Sequence, residues 1–122
     1  MKGAAERELV QEWRGLMARH AIVWNALERE LQHRHKLGVS EFEALELLAC
    51  QEKCRAAELS DAIHLSQSAA SRLVARLEKN GLAIRAMCDM DRRGVFVALT
   101  DEGRRRYQEA LPTHREVLRE TL

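Results

Sequence analysis

Apolar positions along the chain keep a helical period, switch to alternation after Gly81, and return to a helical period near the end. Between Ser66 and Gly81, Ala70, Leu73, Val74 and Leu77 recur at i, i+3, i+4 and i+7, one face of a helix. Ser66 stands where an N-cap hydroxyl accepts an orphan backbone N–H, and Gly81, after Asn80, where a helix exits through a left-handed residue. Residues 4–35 contain only Gly15 and no proline, and read as one long helix. Leu9, Trp13, Leu16, His20, Val23 and Leu27 form one stripe on it, and Val10, Met17, Trp24 and Leu31 a second. At about 1.5 Å per residue this rod is roughly 45 Å long. A compact domain of this size has a radius of gyration of only about 14 Å. Part of the rod must overhang, and an overhanging apolar face calls for a second copy of the chain. The alternative is a helix packed wholly on its own domain.

His33 to Gly38 closes the rod with basic residues and a glycine. Ser40 with Glu43 has the spacing of a capping box for a second helix, whose buried face is Phe42, Leu45, Leu48 and Ala49. Arg55 to Ile63 reads as a short third helix with Ala57, Leu59, Ala62 and Ile63, and His64-Leu65-Ser66 as a tight turn. Two short helices so joined form a helix-turn-helix whose second member is the reading helix. After Gly81, Leu82, Ile84 and Ala86 alternate. Met87 to Arg93 is a polar loop, and from Gly94 to Leu99 Val95, Val97 and Leu99 oppose Phe96. That is a β-hairpin with a charged tip, a wing. Thr100 caps a last helix with Asp101 and Glu102 in its first turn, and Pro112 is expected to kink or restart it. Leu111, Val117, Leu118 and Leu122 offer a partner face for the first helix.

The outward face of the 66–80 helix changes the picture from fold to chemistry. Ser68, Arg72, Ala75 and Lys79 point away from the apolar stripe, flanked by Ser71 and Arg76, and the face carries no carboxylate. Arginine forks onto guanine edges, serine reaches bases or phosphates, and Ala75 keeps the face low enough for a major groove. An ordinary solvated amphipathic helix has the same pattern. Charge distribution favours the first. The chain has a net charge of +1, yet residues 66–106 hold nine Lys/Arg against five acids, and the remainder is net acidic. A basic module on an acidic body is an electrostatic footprint for phosphates.

At 122 residues, 46% hydrophobic and 32% charged with one proline, the chain reads as a single folded domain. No stretch resembles a signal peptide or a membrane span, so a cytoplasmic protein without membrane contact is expected. Cys50, Cys54 and Cys88 are an odd set without framework spacing, expected as reduced thiols. Cys50 and Cys54 share a helix face if the second helix runs that far, which opens an oxidant- or metal-responsive alternative. His33 and His35 share a metal only if their helix has ended, and no metal or cofactor is expected. Trp13, His20 and Trp24 are candidates to line a small-molecule pocket, against the alternative of plain packing. Catalysis is not expected. Ser60, Asp61 and His64 crowd five positions of a helix-turn-helix, and no strand-based elbow presents the serine.

Four matches in order carry a resemblance: Glu58-Leu59-Ser60-Asp61; Leu65 to Val74 running into Leu77-Glu78-Lys79-Asn80-Gly81-Leu82; Asp91-Arg92-Arg93; and Val97 to Gly103. Together the set resembles a MarR-type transcriptional regulator. The resemblance implies a mostly α winged helix-turn-helix with a small β-hairpin wing, in one domain over 1–122. Residues 4–37 and 100–122 would be dimerisation helices and 38–99 the winged module. It implies a homodimer on double-stranded DNA, a pseudo-palindromic operator, and repression released by a small inducer. Ser66, Gln67, Ser68, Ser71, Arg72, Arg76 and Lys79 would serve the major groove, and Arg92 or Arg93 the minor groove, with Asp91 steadying the other arginine. The chain ends at Leu122, where members of the family usually continue through another helical segment.

Overall fold

The computed structural model describes residues 2–87 and 95–122. Five helices and three strands follow in the order α1 (Lys2–His35), α2 (Val39–Gln51), β1 (Lys53–Arg55), α3 (Ala56–Ala62), α4 (Gln67–Lys79), β2 (Ala83–Met87), β3 (Val95–Leu99) and α5 (Asp101–Thr121). The strands form one antiparallel sheet in the order β1-β3-β2. The fold is therefore mostly α with a small β wing, as expected.

One core holds the module together. Leu27 and Leu31 of α1, Phe42, Leu45 and Leu48 of α2, Leu59 of α3 and Leu73, Val74 and Leu77 of α4 are buried together. Leu82, Val97, Ala110 and Val117 join them. Each buried Val, Leu or Phe contributes about 1.5–3 kcal/mol by leaving water. Because Leu73, Val74 and Leu77 are fixed in this core, the opposite side of α4 is fixed facing outward. The base of the wing is tied to α5 by Thr100. Its Oγ1 accepts from Gly103 N at 2.9 Å and donates to the Gly81 carbonyl at 2.7 Å, and its N–H donates to the Leu82 carbonyl at 3.1 Å.

α5 packs chiefly on α1 and α2. Along the α2 seam Glu46 accepts from the Tyr107 hydroxyl at 3.0 Å and from Arg115 at 2.7 Å. Burial, then Glu46, pushes the Tyr107 phenol up to about 12. Buried His114 stacks on Phe42 at 4.2 Å. Arg115 donates to its Nδ1 at 2.7 Å, which leaves Nε2 to donate to Glu43 at 3.2 Å.

Three expectations are corrected. The α2 cap is Gly38, not Ser40. Gly38 N donates to Glu41 at 3.1 Å and Val39 N to Glu28 of α1 at 3.2 Å, while Glu43 turns to His114 instead. α2 ends at Gln51, and Glu52 at φ 63 turns the chain into β1, so Cys50 and Cys54 lie on different elements and share no helix face. α5 runs through Pro112 without restarting. The proline deprives the Gln108 carbonyl of its helical donor, and the buried Ala110, Thr113, His114 and Val117 hold the helix across that gap.

Candidate nucleic-acid interface

The helix-turn-helix is built by local hydrogen bonds. At the end of α3 Ile63 N donates to the Leu59 carbonyl at 3.1 Å and Leu65 N to the Ser60 carbonyl at 3.0 Å, with His64 between them at φ 59. That left-handed residue reverses the chain in one step, a conformation that costs a non-glycine residue about 1 kcal/mol or more. Ser66 then caps α4, its Oγ accepting from Ala69 N at 3.1 Å, and Gly81 leaves it at φ 74. Both ends match the sequence expectation. Ser60 is buried and its hydroxyl donates to the Ala57 carbonyl at 3.2 Å.

Every predicted major-groove residue on α4 is brought to one exposed surface. Gln67, Ser68, Ser71, Arg72, Arg76 and Lys79 are all exposed, as is Ser66 at its start. Among the described residues Arg72, Arg76 and Lys79 make no ion pair, so their charge is directed to solvent. The one carboxylate on α4, Glu78, is engaged by Arg85 of β2 at 2.6 Å. Sequence reading counted Glu78 against the basic balance and missed this neutralisation. The helix-to-strand return through Gly81, which sets β2 beside α4, was the available signal. Arg92, Arg93, Asp91 and Cys88 lie outside the described residues.

The other candidate residues separate. His20 and Trp24 stack at 5.5 Å. They border a cavity of about 390 Å³ between α1 (His20, Val23, Trp24, Leu27), α2 (Val39, Glu43) and the helix-turn-helix corner (Ala62, Ile63, His64). Trp13 is not in that cavity. It lies further out on α1 with Leu16 and Met17, and it is 57% exposed. Residues 3–22 of α1 are exposed throughout. The apolar half of the rod therefore projects from its own domain. Cys50 is exposed and Cys54 buried, and burial, then Glu58, raises the Cys54 thiol above its ordinary range. Among the described residues no group of His, Cys, Asp and Glu forms a metal cluster, and no helix is long and apolar enough to cross a membrane.

A capped reading helix with bare cations, set in a short helix pair and backed by an antiparallel hairpin, defines a winged helix-turn-helix. Residues 37–95 match the model of the MarR family. The structure is similar to that of Sco3205, a MarR family transcriptional regulator from Streptomyces coelicolor in complex with DNA. The two are 33% identical over 97% of this chain and 74% of that one, with a TM-score of 0.86. It is similar as well to AbsC, a MarR family transcriptional regulator from the same organism, at 28% identity over 91% of this chain and 76% of that one, TM-score 0.84. A mutant MarR from E. coli complexed with operator DNA shares the fold at 21% identity, covering 93% of this chain and 81% of that one, TM-score 0.84. No match was found among curated proteins. The chain belongs to the MarR family of transcriptional regulators.

Proposed function

We propose that two copies of this chain bind a pseudo-palindromic DNA operator and repress transcription from it until a small ligand releases them. The observation that carries this is the outward face of α4, where Arg72, Arg76 and Lys79 stand without ion pairs among the described residues on a helix locked from behind. In this arrangement Ser68, Ser71 and Arg72 meet base edges, and Gln67, Arg76 and Lys79 meet bases or phosphates. The Ser66 hydroxyl accepts from Ala69 N and lies 3.4 Å from the Ser68 hydroxyl, which puts both serines at the start of the same surface. Arg92 or Arg93 enters the minor groove, where a narrow groove attracts arginine.

The second copy is supplied by the bare half of α1. Leu9, Trp13, Leu16 and Met17 expose an apolar stripe that nothing among the described residues covers. Residues 4–37 and 100–122 serve as the dimerisation part, and 38–99 as the reading part. A dimer also sets the spacing of two reading helices, which DNA half-sites require. The cavity beside His20 and Trp24 touches both α1 and the helix-turn-helix corner. A ligand that prefers one arrangement of those two elements shifts the dimer away from the spacing of the operator.

Sedimentation of the purified chain tests the assembly. Wild type sediments as a dimer, and Trp13→Glu with Leu16→Glu as a monomer that loses DNA affinity. A wild-type monomer that still binds duplex sequence-specifically contradicts the proposal.

A further inference from the structure

We propose that the cavity beside His20 and Trp24 takes a flat aromatic cation, one or two rings carrying a protonated amine or amidine, with Glu43 as its counter-ion. This names the chemical class of the releasing ligand, and so rests on the function proposed above.

Lining charge supplies the first observation. Among the described residues that border the cavity, Glu43 alone carries a permanent charge, and none is Lys or Arg. Val39 borders it too, and the Val39 N–H is held by the Glu28 carboxylate at 3.2 Å. A second negative charge therefore backs the same wall. A ligand carboxylate would meet these charges with no lining Lys or Arg to pair with, and like charges at close range repel.

Hydrogen bonding supplies the second. A carboxylate offers about four acceptor sites on two oxygens. Glu46, three residues along α2, already accepts from both Tyr107 and Arg115. Glu43 accepts one bond among the described residues, from His114 to its Oε1 at 3.2 Å. Its Oε2 accepts none there, and the side chain is 40% exposed. Arg115 is committed to Glu46 and to His114 Nδ1. An unused carboxylate oxygen thus stands on the lining of the cavity.

The rings supply the third. His20 and Trp24, one turn apart on α1, stack at 5.5 Å with their planes 28° apart. A flat aromatic body stacks on such a wall. Of the protein's ring types, indole draws a cation to its face most strongly. Trp24 is on α1 and Glu43 on α2, so a ligand seated between the two helices meets ring and carboxylate together. The volume of about 390 Å³ falls in the range of small-molecule sites. His20 and His64, if protonated, are the lining groups that would favour an anion instead.

Isothermal titration calorimetry of the full chain decides, with naphthamidine, naphthamide and naphthoate substituted at the same ring position. The three share one shape and are cationic, neutral and anionic. Work near pH 8 stays above the ordinary titration range of imidazole. The amidine binds tightest, about five- to tenfold over the amide, and the acid weakest. Glu43→Gln, whose amide oxygen can still accept from His114, erases the advantage of the amidine and leaves the amide unchanged. Should Glu43→Gln fail to fold, the order of the three probes on the wild-type chain decides. An acid that binds as tightly as the amidine, an undiminished advantage in Glu43→Gln, or no binding of any probe at millimolar concentration overturns this inference and leaves the DNA reading intact. An amidine bound with the expected preference, yet without effect on affinity for a duplex selected from a random pool, overturns release by this cavity and leaves its charge preference standing.

Discussion

The imidazole of His35, the last residue of α1, meets Thr113 of α5 at 2.8 Å, Nε2 to Oγ1. Arg106 of α5 donates to the His35 carbonyl beside it. This pair joins the core end of α1 to the closing helix. Burial, with Arg34 and Arg106 adding to it and Glu109 opposing, holds the His35 imidazole below its ordinary value of 6.5.

That depression makes the seam sensitive to acid. Below about pH 6.5 the unfolded chain takes up the proton before the folded one does, so stability falls as pH drops through that window and levels once the folded form is protonated too. Above it both forms are neutral and His35 contributes no slope. Urea unfolding at about pH 7.5 and 5.5 measures the loss, and His35→Gln reduces it. An equal loss in the variant contradicts the assignment.

Arg72 and Lys79 share a face but differ in task. Arg72→Ala relaxes base preference at one operator position, by about 1–3 kcal/mol of discrimination. Lys79→Ala weakens binding to every sequence alike and flattens the salt dependence. A gel-shift series on operator variants separates the two. An Arg72→Ala chain with unchanged affinity and preference shows that the reading face is misassigned.

Gly103 is required by space. A Cβ there lies 2.0 Å from the Leu82 carbonyl oxygen and 2.8 Å from Leu99 Cδ1. Gly103→Ala must push α5 away from the base of the wing, where Thr100 bonds to Gly81, Leu82 and Gly103. A loss of about 1–3 kcal/mol or more follows, read by denaturant midpoint. A wild-type midpoint contradicts this packing.

Cys50 and Cys54 differ in access. A short pulse of iodoacetamide near neutral pH, read by mass spectrometry, labels exposed Cys50 and spares Cys54, whose thiol is buried and harder to ionise. Equal labelling contradicts the burial of Cys54.

What the sequence disclosed follows the range of the interactions. Ser66, Thr100 and Gly81 were legible because a cap or a left-handed exit is decided within four residues. The outward face of α4 was legible because one helical period places it. The Gly38 cap was hidden because one of its two carboxylates, Glu28, comes from another helix, while the local Ser40–Glu43 spacing pointed elsewhere. β1 has three residues and no period of its own. It exists only through pairing with β3, far along the chain, and was illegible. Pro112 misled because helix propensity was weighed without the buried contacts on either side.

The central claim is that two bound copies read one DNA sequence twice. Selection of bound fragments from a random duplex pool, followed by sequencing, tests it most directly. The account predicts an inverted pair of half-sites with centres about one helical turn apart. Fragments without enrichment, or enriched for a single unpaired half-site, contradict it.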